Sequence, residues 1–506
     1  VRVVSNAGGL NPAACAAKLR EEIARRGLPL SVGVVEGDDL STRGWAGAEE
    51  MFSGARFPEG VAPASANAYL GAFPIAAALD AGADIVITGR IADSAATLGA
   101  CIWRFGWGAG DLDRLAAGSL AGHILECGPQ ATGGNFTDWE EAGPIAEIGY
   151  PIAEVEPDGG FRVTKPEGTG GLVSAATVAE QMLYEIGDPR GYVLPDVVCD
   201  FSEVRIEPCE GGVRVAGATG RAPTGRLKVS LTYPDGWRAG FVLPFNGRAA
   251  RAKAEAFAAA GLSRARAKLR AMNAPDYDET CVEVAGGRPG ESPYEEVALK
   301  TAVRHRDPRA VGLFLKETMG AGLATPPGLH GFTGAGRPKP SPVVRLFSTL
   351  VDAAEAPARI GVEGEAVPFE PPAPPPPGPA PAPHAPPATE GSPDAARPLE
   401  ALAWARSGDK GDKANVGVIA RRPEFLPWIW AALTDEAIRA AIPMAKGRIE
   451  RFHLPGTASM NLLLHEALGG GGVASLLNDA QGKGYAQRLL ALDVPIPAAI
   501  APEVGS

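Results

Sequence analysis

The stretch FEPPAPPPPGPAPAPHAPPATEGSPDAARP, within residues 363–398, sets the organisation of the whole chain. Proline has no backbone N–H and a locked φ, so a run this dense can neither continue a helix nor enter a sheet interior. It is expected to be a semi-rigid tether that does not pack. It divides the 506 residues into a long first part, 1–362, and a short last part, 399–506. Within the first part, residues 1–125 read as one section and 126–362 as another.

Residues 1–125 alternate strand-like and helix-like segments. VRVVS and LSVGVVE are apolar runs, Asn11-Pro12 opens a helix to about Arg26, and ADIVITGRIADSAATLGACIWRFG reads as strand, loop, helix. β-branched strands alternating with helices predict α/β architecture around a parallel sheet. The carboxyl ends of such strands carry the site. Here they are the loops from Ser5 to Gly9, Glu36 to Asp39 and Thr88 to Ser94, expected side by side at one sheet edge. The chain opens on what reads as a buried strand, so an upstream segment holding part of the site is expected. Residues 126–362 predict a mixed α+β continuation. It has a helix from about Ser174 to Ile186, antiparallel strands with a turn at Pro234-Asp235-Gly236, and an alanine-rich helix over 248–272. Residues 399–506 order as strand, strand, helix, strand, strand, helix, a small α+β sandwich.

A net charge of −11 argues against nucleic acid, which demands a basic surface. An acidic chain can still hold a local cationic pocket for an anionic metabolite. The six cysteines form no CxxC pair and the histidines no HExxH, so the cysteines are expected reduced and buried in a cytoplasmic protein. No run of 18 apolar residues suggests a membrane span.

Four motifs carry polar chemistry. In TGRIADSAATLG, Arg90 stands before a helix that Asp93 or Ser94 would cap, a place that favours an anion. In AGHILECGPQATGGNF, His123 and Glu126 share a helical face beside Cys127; they read either as acid/base groups or as a buried histidine satisfied by a carboxylate. KPEGTGGLVS (Lys165–Ser174) is a glycine-rich turn before a helix and reads either as a phosphate cradle or, the favoured reading, as a connection. ARSGDKGDKANVGVIAR packs Arg406, Asp409, Lys410, Asp412 and Lys413 into eight residues around Gly408 and Gly411. It is either a solvated hairpin turn or a place where amides and cations meet an anion. The run Gly469–Gly472 suggests another close backbone approach, with Asp479, Gln481 and Lys483 facing it.

VVSNAGGLNP, VVEGDDL, ANAYLGAFPIAAALDAGADIVITGRIADSAATLG, AGHILECGPQATGGNF and ARSGDKGDKANVGVIAR together resemble the acyclic terpene utilisation (AtuA-like) proteins over nearly the whole chain. The resemblance implies an N-terminal α/β region and a smaller C-terminal domain of ferredoxin-like fold. That last name describes topology, since no cysteine follows Cys281 to hold an iron–sulfur cluster. It also implies a bacterial role in breaking down branched terpenoids such as citronellol and geraniol through acyl-CoA intermediates. It carries no catalytic residues over, and this sequence lacks the usual N-terminal portion with its glycine-rich strand end.

The function expected is enzymatic: lyase or hydratase chemistry beside the thioester of a branched acyl-CoA, with CoA as a substrate moiety and no separate cofactor assigned. Asp93, His123 and Glu126 are the acid/base candidates. Asn6, Gly8, Gly9, Arg90, Ser94, Ser407, Gly408, Asp409, Lys410, Gly411, Lys413 and Asn415 are the anion-binding candidates, with Asn67 and Asn135 as donors to an enolate. The tether lets the last domain lay its loop on the first domain's edge, in the same chain or in a partner chain of a homo-oligomer. One alternative is a non-catalytic scaffold subunit of a carboxylase-type complex. Another is a hydrolase holding a divalent metal on Glu36, Asp38, Asp39 and Asp93.

Overall fold

The computed structural model describes residues 1–287, 295–331 and 336–502. The chain enters on β1 (Val3–Ser5) and turns at Asn11, whose side chain accepts from the Ala14 amide at 3.0 Å and caps α1 (Pro12–Arg26). β2 (Val32–Glu36), β3 (Ser65–Ala68), α2 (Phe73–Asp80), β4 (Ile85–Thr88), α3 (Ala95–Phe105) and α4 (Leu112–Glu126) follow. β1, β4 and β2 lie parallel in that order, so the predicted parallel sheet is present and its three carboxyl ends are neighbours. β1 is not the buried strand that its sequence suggests. It is the sheet edge, with β4 on one side only, and Val3 stands exposed.

The mixed section begins with β5 (Ile152–Val155), β6 (Phe161–Thr164), α5 (Ala175–Leu183), β7 (Tyr192–Val193), β8 (Val198–Asp200), β9 (Arg205–Cys209), β10 (Gly212–Ala216) and β11 (Thr219–Arg221). Ser174 and Thr177 form a capping box on α5, so the glycine-rich segment before it is a connection. Next come β12 (Arg226–Asn246), α6 (Ala250–Ala271), β13 (Glu279–Gly286), β14 (Glu296–His305), α7 (Pro308–Gly320) and β15 (Ser341–Asp352). They build an antiparallel sheet in the order β13-β14-β12-β15, to which β3 adds by pairing with β12.

The turn expected at Pro234-Asp235-Gly236 is instead a bulge inside the 21-residue β12. Asp235 is gripped by Arg345 at 2.6 Å and Arg304 at 3.3 Å, and these contacts accompany the bulge that carries the strand on through a turn-like sequence. β16 (Arg359–Val362) then returns to the first sheet, antiparallel to β2, followed by β17 (Glu365–Val367).

The tether does pack, contrary to the expectation from its composition. It has no helix or strand from 368 to 394, yet it is pinned to the body. His384 Nε2 lies 2.9 Å from Ser202 Oγ, and His453 Nδ1 lies 2.8 Å from the Ala385 carbonyl.

The last domain consists of β18 (Ala395–Pro398), β19 (Ala403–Lys410), β20 (Lys413–Ala420), α8 (Leu426–Ala432), α9 (Asp435–Ala441), β21 (Ile449–Leu454), β22 (Ser459–Leu464), α10 (Tyr485–Leu490) and β23 (Asp493–Ile496). Its antiparallel sheet runs β19-β20-β22-β21. Strand alternation divides this sheet between two cores. Ala403, Ala405, Val416, Val418, Met460 and Leu462 face the domain's own helices. Arg406, Gly408, Asn415, Gly417 and Asn461 face α5 of the first part. Among the described residues no helix is long and apolar enough to cross a membrane, and all six cysteines are unpaired.

Candidate functional site

The strand-end loops are organised by one buried carboxylate. Asp38 Oδ2 accepts from the Arg90 amide at 2.8 Å and from Asn67 Nδ2 at 2.9 Å. Gly89 permits this, because a Cβ there would fall 2.2 Å from Asp38 Oδ1. Gly8 crosses β4 so closely that a Cβ would sit 2.5 Å from the Thr88 carbonyl oxygen. Asn6 and Gly9 are exposed and bonded only within their own turn. Ser94 stands before α3 without a capping bond. Its φ of −73° and ψ of −14° are helical, whereas a cap needs extended backbone, and Asp93 pairs with Arg90 at 2.7 Å instead. Asp38 is thus committed to N–H donors. Among the described residues no three His, Cys, Asp or Glu side chains group to hold a metal ion, so Glu36, Asp38, Asp39 and Asp93 do not assemble a ligand set.

His123 is fully buried. Its Nε2 lies 3.1 Å from the Met182 carbonyl and its Nδ1 3.1 Å from Glu126 Oε1. The carbonyl can only accept, so Nε2 is the nitrogen that donates to it. Both ring nitrogens are therefore engaged, and the geometry makes His123 and Glu126 a pair that positions α4 against α5.

The hairpin of β19 and β20 is not a solvated turn. Its face docks on the carboxyl end of α5, and its glycines are there for that contact. A Cβ on Gly408 would fall 2.6 Å from the Tyr184 ring, and one on Gly417 2.5 Å from Leu183 Cβ. Asn415 Nδ2 donates to the Leu183 carbonyl at 2.6 Å, and its Oδ1 accepts from the Glu185 amide at 2.8 Å. Asn461 donates to the carbonyls of Ile186 and Gly187. Two asparagines of one domain thus cap a helix of the other and hold Glu185 at a φ of +58°.

Deeper in the interface, Arg406 and Glu180 make a 2.9 Å ion pair with side chains 4% and 0% exposed. Arg406 also donates to the Gly134 carbonyl at 2.8 Å. Asp138 receives Arg421 at 2.6 Å and the Trp404 indole at 2.7 Å. Ser407 donates to the Gly482 carbonyl at 2.6 Å and anchors the entry to α10. At the tip, Gly411 (φ +68°) makes the turn, and Asp412 accepts from the amides of Leu468 and Gly470. A Cβ on Gly471 would fall 2.3 Å from the Gly411 carbonyl oxygen, so the four-glycine run is a backbone seat for the hairpin.

Lys410, at the end of β19, reaches past this interface to the first domain. Its ammonium lies 5.7 Å from the Tyr192 ring centroid. Burial opposes its charge, but Tyr192, Glu185, Glu126 and Asp93 outweigh burial and hold it above the ordinary lysine range. The next cation is Lys228 on β12, which lies 4.9 Å from the Tyr69 ring centroid. Arg90 covers the same ring at 4.1 Å. Lys228 is pushed down by burial and by its neighbours Lys410 and Arg90. Tyr69 follows β3, and its hydroxyl accepts from Ser230 Oγ at 3.3 Å. Burial works to raise this phenol, but Lys228 and Arg90 prevail and hold it below its ordinary value. Lys228 and Lys410 are half-buried, and neither makes an ion pair with a carboxylate within 4.0 Å among the described residues.

Lys228, Ser230 and Thr232 share one face of β12, and across it on β15 lie Ser348 and Leu346. Thr232 and Ser348 of this face line a cavity of about 430 Å³ whose wall carries Phe52, Val344, Leu346, Val473 and Lys413 together with the carboxylates Glu50, Asp409, Asp412 and Glu466, with the hairpin tip as one side. Lys413 sits 3.9 Å from the Phe52 ring centroid. On the other side of the docked helix, a cavity of about 700 Å³ is lined by Cys127, Asn135, Tyr184, Arg406, Ser407 and Lys483. Asn135 there donates to Gln130, and Lys483 bonds the Tyr184 hydroxyl, Glu185 at 3.2 Å and Asp409 at 3.5 Å.

A sequence model of the acyclic terpene utilisation family protein AtuA matches residues 1–362, and one of the AtuA ferredoxin-like domain matches residues 397–495. The chain belongs to the AtuA family. The two matched segments of this AtuA protein are the two bodies that Asn415, Asn461 and the Arg406–Glu180 pair hold together. No curated protein and no solved structure matches the chain.

Of the anion-binding candidates, Arg90 and Lys410 lie around one cluster, through Lys228. Lys413 faces the adjoining groove and Asn135 lines the other cavity. Tyr69, Lys228, Tyr192, Glu185 and Asn461 were not singled out by the sequence. The polar face of β12, alternating with buried Leu227, Val229 and Leu231, was the available signal for Lys228.

Proposed function

We propose that this protein is an enzyme of acyclic terpenoid catabolism that acts on a branched acyl-CoA beside its thioester, by lyase or hydratase chemistry. The carrying observation is the pair of half-buried ammonium groups, Lys228 and Lys410, supplied by different domains, flanked by Arg90 and without a carboxylate within 4.0 Å among the described residues. They suit a further anion in direct contact, such as a thioester enolate or a carboxylate next to it. The adjoining groove, with Phe52, Val344, Leu346 and Val473 on its walls, suits an apolar branched tail. Lys413 suits a phosphate of the CoA moiety. Docking of the last domain completes the site, because Lys410 enters only on the seated hairpin.

The test is incubation of the protein with a methyl-branched 2-enoyl-CoA and mass spectrometry of the thioester. A hydratase yields a product heavier by one water, and a lyase splits the matching 3-hydroxyacyl-CoA, offered in parallel, into two fragments. A thioester that binds and is recovered unchanged in both directions would replace this reading with that of a binding subunit.

A further inference from the structure

Resting on that reading, we propose that Tyr69 is the catalytic residue that takes and returns the proton at the carbon next to the thioester. Four contacts single it out. Arg90 lies 4.1 Å and Lys228 4.9 Å from its ring centroid. Ser230 donates to its hydroxyl oxygen at 3.3 Å, a contact that a phenolate would also accept. Its backbone amide donates to the Lys228 carbonyl at 2.9 Å, which sets the two residues side by side.

The other titratable groups of the cluster are committed elsewhere. His123 spends both nitrogens on Glu126 and Met182. Asp93 is paired with Arg90, and Glu185 with Lys483. Tyr192 is pushed up to about 12 by burial and stays a phenol. Only for Tyr69 among the cluster's phenols do neighbouring cations prevail over burial and favour the ionised form.

The step balances without a co-reactant. The C–H bond next to the thioester breaks, its electron pair moves onto the thioester oxygen as an enolate, and the proton passes to the Tyr69 oxygen. Lys228 and Lys410 face the enolate charge as it forms, and the reverse transfer restores the phenolate. Run in deuterium oxide, this step alone exchanges the hydrogens next to the thioester.

The experiment uses the full chain, its Tyr69→Phe and Lys228→Met variants, and isovaleryl-CoA as the probe. Tyrosinate absorbance is titrated as the wild-type-minus-Phe difference, binding is measured by calorimetry, and exchange is followed by NMR. The Tyr69 signal is expected at a pH below the ordinary phenol range of about 10. Lys228→Met is expected to move it up. Tyr69→Phe is expected to bind within about threefold of wild type and to slow exchange roughly 10²- to 10⁴-fold. A Tyr69 signal at or above the ordinary range overturns the assignment. So does exchange by the Phe variant at the wild-type rate, or binding without exchange by the wild type. If the wild type does not bind the thioester, the substrate reading itself fails, whatever the titration gives. Binding and exchange that Tyr69→Phe leaves intact remove Tyr69 alone.

Discussion

Replacing Arg406 by methionine should undock the two domains. The substitution keeps much of the side-chain volume and removes the charge that faces Glu180, whose side chain has no exposure. Thr137 still donates to Glu180 through its amide and hydroxyl, so the carboxylate keeps two hydrogen bonds and loses its only cation. Removing one partner of a buried ion pair costs about 3–5 kcal/mol. Burial already pushes the Glu180 carboxyl up against the pull of Arg406. Without Arg406 it rises further. A raised folded value means stability is retained below the unfolded carboxyl value of about 4.3 and lost as pH rises through the folded one.

The penalty should therefore be full at pH 8 and shrink toward pH 5. Hydrogen exchange followed by mass spectrometry reads this locally, which suits a two-domain chain that does not unfold in one step. Amides of 175–186 and 403–418 should exchange roughly two to four powers of ten faster at pH 8, at about 1.4 kcal/mol per decade. A Glu180→Gln/Arg406→Met double variant should recover most of the protection. Unchanged exchange in the single variant, or no recovery in the double, would refute the claim that this pair holds the interface.

Two further outcomes follow from the same contacts. In Asp138, burial raises the carboxyl, but the Arg421 and Trp404 hydrogen bonds outweigh it and hold the carboxyl below its usual range. A lowered folded value gives stability above about pH 4 that is lost as pH falls, so Asp138→Asn should flatten the acid limb of domain docking, by about 1.5–3 kcal/mol at neutral pH, in the same exchange experiment. Gly417→Ala would put a methyl 2.5 Å from Leu183 Cβ. It should cost about 1–3 kcal/mol and lower the thermal midpoint, whereas Ala at exposed Gly44, which has open space around it, should not.

The parallel sheet was legible because its signals are local. β2 and β4 are short apolar β-branched runs, each preceded by a helix, α1 and α2, and neighbouring carboxyl ends follow from that topology. The Gly-Asp-Lys segment was legible as unusual, yet its charges proved to do separate jobs. Arg406 pairs with Glu180, Lys410 enters the cation cluster, and Lys413 faces the groove. The alternation of Ala403 and Ala405 with Arg406 and Gly408 could have placed these residues on one sheet face. What that face meets depends on α5, more than 200 residues earlier. Tyr69 and Lys228 are joined only because β3 pairs with β12 across some 160 residues, and no spacing rule reaches that far. At Pro234-Asp235-Gly236 the turn chemistry was read as a local signal. The tertiary ion pairs of Asp235 with Arg304 and Arg345 override it.

The central claim is that Lys228 and Lys410, from two domains, form one anion site for an acyl thioester. Calorimetry with isovaleryl-CoA on the wild type, Lys228→Met, Lys410→Met and a surface control, Lys18→Met, tests it most directly. A charge-assisted contact is worth about 1.5–3 kcal/mol. Each site variant should therefore bind roughly 10- to 150-fold more weakly, with the control unchanged. Absence of saturable binding to the wild type, or equal affinity in all four proteins, would contradict the account.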